Sequence, residues 1–258
     1  MKAFVKQLLA YQFIIMLSRA IGSLRVFLIV FFVGLGALSD QVFFLLSYSD
    51  VLMTLFLGGG SAIFVSLAMT KHSNSSDILG SGVAFYLLLG MVLVGIEIAT
   101  GASFGGYLFS GLKDNGDLRS DYFVSLVILC FILPTGLFNG VFLFYEKLYL
   151  QPLMNLVFSI IIVLGLIGLF NVAKITTHSV VILLIFSASV RFFVSLFVSI
   201  YLHRVNWARL GFVNDLSFYK NLFVSGLSVG FVFIIPYAFR GGLPRYVDGG
   251  FTLAALAF

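Results

Sequence analysis

The stretch PLMNLVFSIIIVLGLIGLF, residues 152–170, decides the fold class. It runs from Pro152 to Phe170 without one charged side chain. A helix rises about 1.5 Å per residue, so this run nearly crosses a hydrocarbon core about 30 Å thick. The chain repeats the pattern at 10–33, 41–69, 79–99, 122–143, 178–202 and 218–239, giving seven expected spans. The apolar stretch Phe251–Phe258 begins an eighth. Across all 258 residues, 61% are hydrophobic and only 10% are charged. Soluble domains carry about 25% charge, so a soluble globular protein, a disordered chain and a disulfide scaffold are excluded. The expected fold is an all-α integral membrane bundle with multiple spans.

Organisation follows from the breaks between runs. Residues 1–203 hold six spans and are expected to form one bundle. Residues 204–217 are basic and read as a cytoplasmic linker, and 218–258 read as the opening of a second bundle. The last run stops in mid-membrane, where backbone polar groups need completion, so the sequence predicts a longer parent protein. With the N-terminus inside, Lys2, Lys6, Lys71, Lys147, Arg204, Arg209 and Lys220 are cytoplasmic. Lys113, Arg119, Lys174, Arg240 and Arg245 are then external. This bias of seven against five favours a multi-pass protein with a cytoplasmic N-terminus. It also explains most of the +5 net charge, so no nucleic-acid partner is implied. Lys2 and Lys6 before Leu8–Leu17 resemble a signal peptide, but hydrophobicity resumes through Val26–Val33 and makes one longer span. The single cysteine, Cys130, reads as a small buried hydrophobe.

Charges inside the spans are the most informative residues. A charge at the bilayer centre costs at least ~2.5 kcal/mol, so it usually faces a partner or a cavity. Arg19, Arg25, Asp50, Glu97 and Arg191 all fall within spans. Arg25 lies about 12 Å and Asp50 about 15 Å from the outer ends of their spans, which makes a charge pair plausible. Arg19 and Arg191 lie about 14 and 16 Å from the cytoplasmic side and are expected to ring one cavity. Ser18, Gly22 and Arg25 share one helical stripe. Two readings stand: structural ion pairs that pin helices, or an anion site built on the arginine fork. Asp50 is either a structural partner or a coupling residue. Glu97, close to a span end, is expected to snorkel to the interface.

Other motifs carry less. His72 and Asp77 match an acyltransferase spacing by chance, with no acyl-donor site elsewhere. Gly58, Gly59 and Gly60 lack the following Lys-Ser/Thr of a phosphate loop and read, with Gly22, as helix-packing residues. Pro134 and Pro236 are expected to kink their helices. His178 and His203 stand at helix ends without metal-ligand spacing, so no metal and no cofactor is expected. Asp114, Asp117 and Asp121 in the outer loop 100–121 read as solvated turn residues. With no nucleophile–base pair, the chain is expected to be no enzyme.

The segment Ser18-Arg19-Ala20-Ile21-Gly22-Ser23-Leu24-Arg25 continues through Gly34-Leu35-Gly36-Ala37-Leu38-Ser39-Asp40 and Phe43-Phe44. It closes with Gly58-Gly59-Gly60-Ser61-Ala62-Ile63-Phe64-Val65. This pattern resembles the first two helices of the lipid-linked glycan flippases in the multidrug/oligosaccharidyl-lipid/polysaccharide exporter superfamily. Pro134, Asn139-Gly140, Pro152 and Asn155 are similar to the fourth and fifth helices of that family. The resemblance implies two bundles of about six helices in the MATE-type fold, opening alternately to each side of the bacterial cytoplasmic membrane. The implied substrate is an undecaprenyl-pyrophosphate-linked oligosaccharide, a cell-surface polysaccharide or O-antigen repeat unit. Its implied site is Arg19 and Arg25, with Arg191 in the same cavity, and its implied partners are membrane lipids and the polysaccharide polymerase and assembly machinery. The lipid II branch tends to carry another arginine where this chain has Leu52-Met53-Thr54-Leu55, so lipid II is the alternative substrate. A cation-coupled multidrug exporter ranks below it, because such a pump would want cavity acids and this cavity is expected to be net basic. A membrane polymerase or glycosyltransferase would need clustered acids in a catalytic loop.

Overall fold

A computed structural model describes residues 2–46, 61, 64–66, 75–108, 112, 116–172, 175–203, 213 and 216–224. These residues are overwhelmingly helical. The elements are α1 (Lys2–Val33), α2 (Ala37–Leu46), α3 (Ser75–Ala99), α4 (Ser103–Leu108), α5 (Gly116–Ser125), α6 (Ile128–Ile132), α7 (Thr135–Phe144), α8 (Leu150–Val172) and α9 (Thr177–His203). Residues 216–224 are also helical. Among the described residues, five stretches are long and apolar enough to cross a membrane: Gln7–Val33, Asp77–Ala99, Gly116–Phe144, Leu150–Asn171 and Thr177–Leu202. The protein is therefore a multi-span helical membrane protein. The expected spans at 41–69 and 218–239 lie largely outside the described residues, as do Asp50, Gly58, Gly59, Gly60, Pro236 and most of the 204–217 linker.

Local chemistry sets the helix ends. α1 stops at Gly34, whose φ of +82° takes it out of the right-handed helix. The end of α3 is a paired-bond C-cap. Gly101 N–H donates to Ile98 O at 3.2 Å and Ala102 N–H to Glu97 O at 2.8 Å. α7 ends the same way through Glu146 and Lys147, although Glu146 is no glycine and sits at φ +56°. α9 opens on a reciprocal cap, in which Thr176 and Ser179 each accept the other's backbone N–H, at 3.0 and 3.2 Å.

The third stretch, Gly116–Phe144, is broken twice. Around Leu126–Val127 the backbone tightens into i→i+3 bonds, as in Val127 N–H to Val124 O. Pro134 has no N–H and stands between α6 and α7 at φ −66° and ψ −19°. This broken span is also the most buried of the five.

Around it the others assemble. α3 packs on α6, while α5, α6 and α7 pack on α9. α9 packs on α8, and α8 on α1. Glycines admit the closest approaches. A Cβ at Gly90 would lie 3.3 Å from Cys130 Cα, and one at Gly165 2.2 Å from Leu183 Cδ1. At the far end Phe32 stacks on Phe170 at 3.9 Å, so α1 and α8 run parallel. α2 joins the centre where Phe44 stacks on Tyr122 at 5.7 Å. α1 stays peripheral, with most of its surface uncovered.

One expectation needs correction. Residues 100–121 are not an open solvated turn. They contain α4 and the start of α5, and Ala102, Leu112 and Leu118 are buried. Apolar side chains in that segment have a core to join. Further along, Val213 N–H in the expected linker donates to Ser81 Oγ of α3 at 2.8 Å, and Tyr219 meets Phe85 of α3 at 5.5 Å.

Candidate functional site

The two arginines of α1 have different surroundings. Arg19 is exposed, and Arg25 is half-buried. Arg19 lies about 18 Å along the helix from Gln7 and about 21 Å from Val33, the middle of the span. Ser23, one turn on, is exposed beside it and donates to Arg19 O at 3.2 Å. Met16, Leu24 and Phe27 surround this polar spot with exposed apolar side chains. At Gly22 a Cβ would meet nothing within 4 Å among the described residues, and α1 runs through it unbroken. Its small size leaves the surface beside Arg19 open. The Arg25–Asp50 pair lies outside what can be described, since Asp50 does.

Arg191 belongs to another environment. It is 1% exposed, among the largest fully buried side chains, and its guanidinium stands 5.7 Å from the Phe158 ring centroid. Both Arg25 and Arg191 are engaged by the protein. α8 stands between α1 and α9, so exposed Arg19 and enclosed Arg191 do not share one open space in this conformation. Sequence depth placed them at one level; it could not place them on one side of α8.

Arg191 lies on a buried polar stripe. Ser187, Arg191, Ser195 and Ser199 follow at intervals of four along α9, and all are buried. This i, i+4 pattern was present in the sequence and went unread. Asn139 on α7 is buried as well.

A second polar cluster ties the far ends of α5 and α9. Thr177 Oγ1 donates to Asp121 Oδ2, and His178 Nδ1 lies 2.9 Å from Asp121 Oδ1. Asp121 is thus a buried anchor, not a solvated turn residue. Its carboxylate thus stands at the N-terminal end of α9. Neither the pair nor the buried position had a sequence signal, because the partners are 56 and 57 residues apart. Glu97 departs from its expected interfacial place too: it is buried. Nearby, a pocket of about 360 Å³ is lined by Thr100, Gly101, Ala102, Ser103, Leu112 and Arg119. Arg119 donates to Gly101 O at 3.2 Å, while Asp117 is exposed. Among the described residues no three His, Cys, Asp or Glu side chains are grouped to hold a metal ion.

Comparison of the chain with protein-family models, curated proteins and solved structures finds no match. The geometry of the charged side chains therefore carries the functional argument.

Proposed function

We propose that this protein translocates an undecaprenyl-pyrophosphate-linked oligosaccharide across the bacterial cytoplasmic membrane by alternating access. The observation that carries the reading is Arg19: an exposed guanidinium at the middle of a membrane-spanning helix. Hydrocarbon is a poor neighbour for that charge, and a water-filled path or an anionic ligand is a good one. A pyrophosphate offers several acceptor oxygens to the planar donor fork of arginine. Arg25 lies less than two turns further along the same helix and completes a two-arginine site for a travelling head group. Arg191 acts from within the bundle, supporting the helices that carry this face.

The reading includes the two-bundle MATE-type arrangement, seven spans with the beginning of an eighth, and a cytoplasmic N-terminus. The polymerase that consumes exported repeat units is the natural partner. Binding tests it directly. Purified protein should bind undecaprenyl pyrophosphate and not the uncharged polyprenol. Charge-assisted bonds contribute about 1.5–3 kcal/mol each, so Arg19→Ala should weaken binding by about 10- to 150-fold. Arg19→Lys should retain part of the affinity. Equal affinity for diphosphate and polyprenol would overturn the assignment.

A further inference from the structure

The α7–α8–α9 seam contains polar atoms that the rest of the bundle does not satisfy. Asn139 Nδ2, Asn155 Oδ1 and Ser199 Oγ are buried with no hydrogen-bond partner among the described residues. Asn139 is only 3% exposed. These atoms sit on three helices that pack together. Asn155 lies three residues before Phe158, the ring under Arg191, so both occupy one face of α8. Asn139 follows Phe138, whose ring meets Phe192, the neighbour of Arg191, at 5.6 Å. The serine stripe of α9 passes through the same place. One amide offers a donor and the other an acceptor, while hydroxyls can be either. That mixture suits a neutral, water-sized guest that donates and accepts, and it does not select a fixed ion.

A second observation agrees. The span that ends in α7 is interrupted at Leu126–Val127 and at Leu133–Pro134. Irregular backbone at membrane depth persists where protein or water satisfies it. Buried polar groups that the protein itself leaves unsatisfied are commonly bridged by an internal water, which makes about three hydrogen bonds.

We infer that ordered water occupies the seam between α7, α8 and α9, bridging Asn139, Asn155 and the serines of α9 into a hydrated track that reaches Arg191. The track is separate from the α1 face and stands whether or not α1 carries a lipid-linked substrate. It keeps α9 from locking onto its neighbours, because water-bridged contacts exchange partners without exposing a bare polar atom to hydrocarbon.

Two readouts test it on the full chain in lipid vesicles. In a Cys130→Ala background, Ser195→Cys should react with a small charged methanethiosulfonate at least tenfold faster than Leu166→Cys, a buried apolar position on α8. In the unmodified protein, millisecond radiolysis of bound water should hydroxylate Phe158 at least tenfold faster than buried Phe44. The radiolytic arm needs no substitution and detects water even where a thiol reagent cannot enter. Excess labelling at either position supports the track. Ser195→Cys as inert as Leu166→Cys, together with Phe158 as inert as Phe44, would overturn it.

Discussion

Gly140→Ala isolates the packing of the second span against α7. A Cβ at residue 140 would stand 2.8 Å from Phe64 Cβ, 3.0 Å from Ser61 O and 3.1 Å from Ser61 Cα. Ordinary carbon contacts begin near 3.4 Å, so the neighbour must retreat by several tenths of an ångström. Two of the three atoms are backbone and the third is bonded directly to it. No side-chain rotation relieves the clash. Overpacking of this kind costs about 1–3 kcal/mol. The better helix propensity of alanine returns up to about 1 kcal/mol, so the net loss spans about 0–3 kcal/mol and centres on about 1–2 kcal/mol. For a chain of this size each kcal/mol moves the midpoint by about 2–4 °C, so Tm should fall by about 2–8 °C. The assay is thermal unfolding of purified protein in one detergent, followed by intrinsic fluorescence. Gly22→Ala is the internal control, because its Cβ would enter open space and should leave Tm unchanged or slightly higher. If Gly140→Ala behaves like Gly22→Ala, the close contact of α7 with Ser61 and Phe64 is wrong.

The remaining expectations use the same melting assay. Glu146→Gly should stabilise by about 1 kcal/mol, because Glu146 occupies the left-handed cap position at φ +56° that glycine enters freely. Asp121→Ala should lower stability by about 1–2 kcal/mol, since it removes both the Thr177 and the His178 contacts from a buried acceptor. His178→Ala should cost under about 1 kcal/mol, because the imidazole is 64% exposed and solvent screens its pairing. A larger loss from His178→Ala than from Asp121→Ala would contradict the anchor role of Asp121. Gly165→Leu should disrupt the α8–α9 crossing more than Gly168→Leu, whose Cβ meets nothing within 4 Å.

Long uncharged runs made most of the bundle legible. The expected spans 10–33, 79–99, 152–170 and 178–202 correspond to α1, α3, α8 and α9. α1 begins earlier, at Lys2, because its Lys, Gln and Leu side chains continue a helix beyond the apolar edge. Pro134 was legible as an interruption, since its missing N–H acts locally. The second break, at Leu126–Val127, involves residues without any breaker chemistry, so only the tertiary contacts of the span reveal it. Neighbour relations were not legible either. Hydropathy gives the depth of Arg19 and Arg191 but not the helix between them. Asp121 looked solvated because it stands among Gly and Asp residues; the α9 terminus that receives it lies far along the chain. The serine stripe around Arg191 is legible in the sequence at spacing four, but serine alone carries no signal of burial, because its small hydroxyl is tolerated on lipid-facing and interior sides of a helix alike.

The central claim is that the α1 arginines meet a pyrophosphate in transit. Its most direct test is movement of a labelled undecaprenyl-pyrophosphate sugar between leaflets of vesicles containing the full-length protein. The account predicts movement with the native protein, loss of at least tenfold in the rate with Arg19→Ala/Arg25→Ala, and partial recovery with Arg19→Lys/Arg25→Lys. Undiminished movement in the doubly substituted alanine protein, folded and inserted as the native one is, would contradict it.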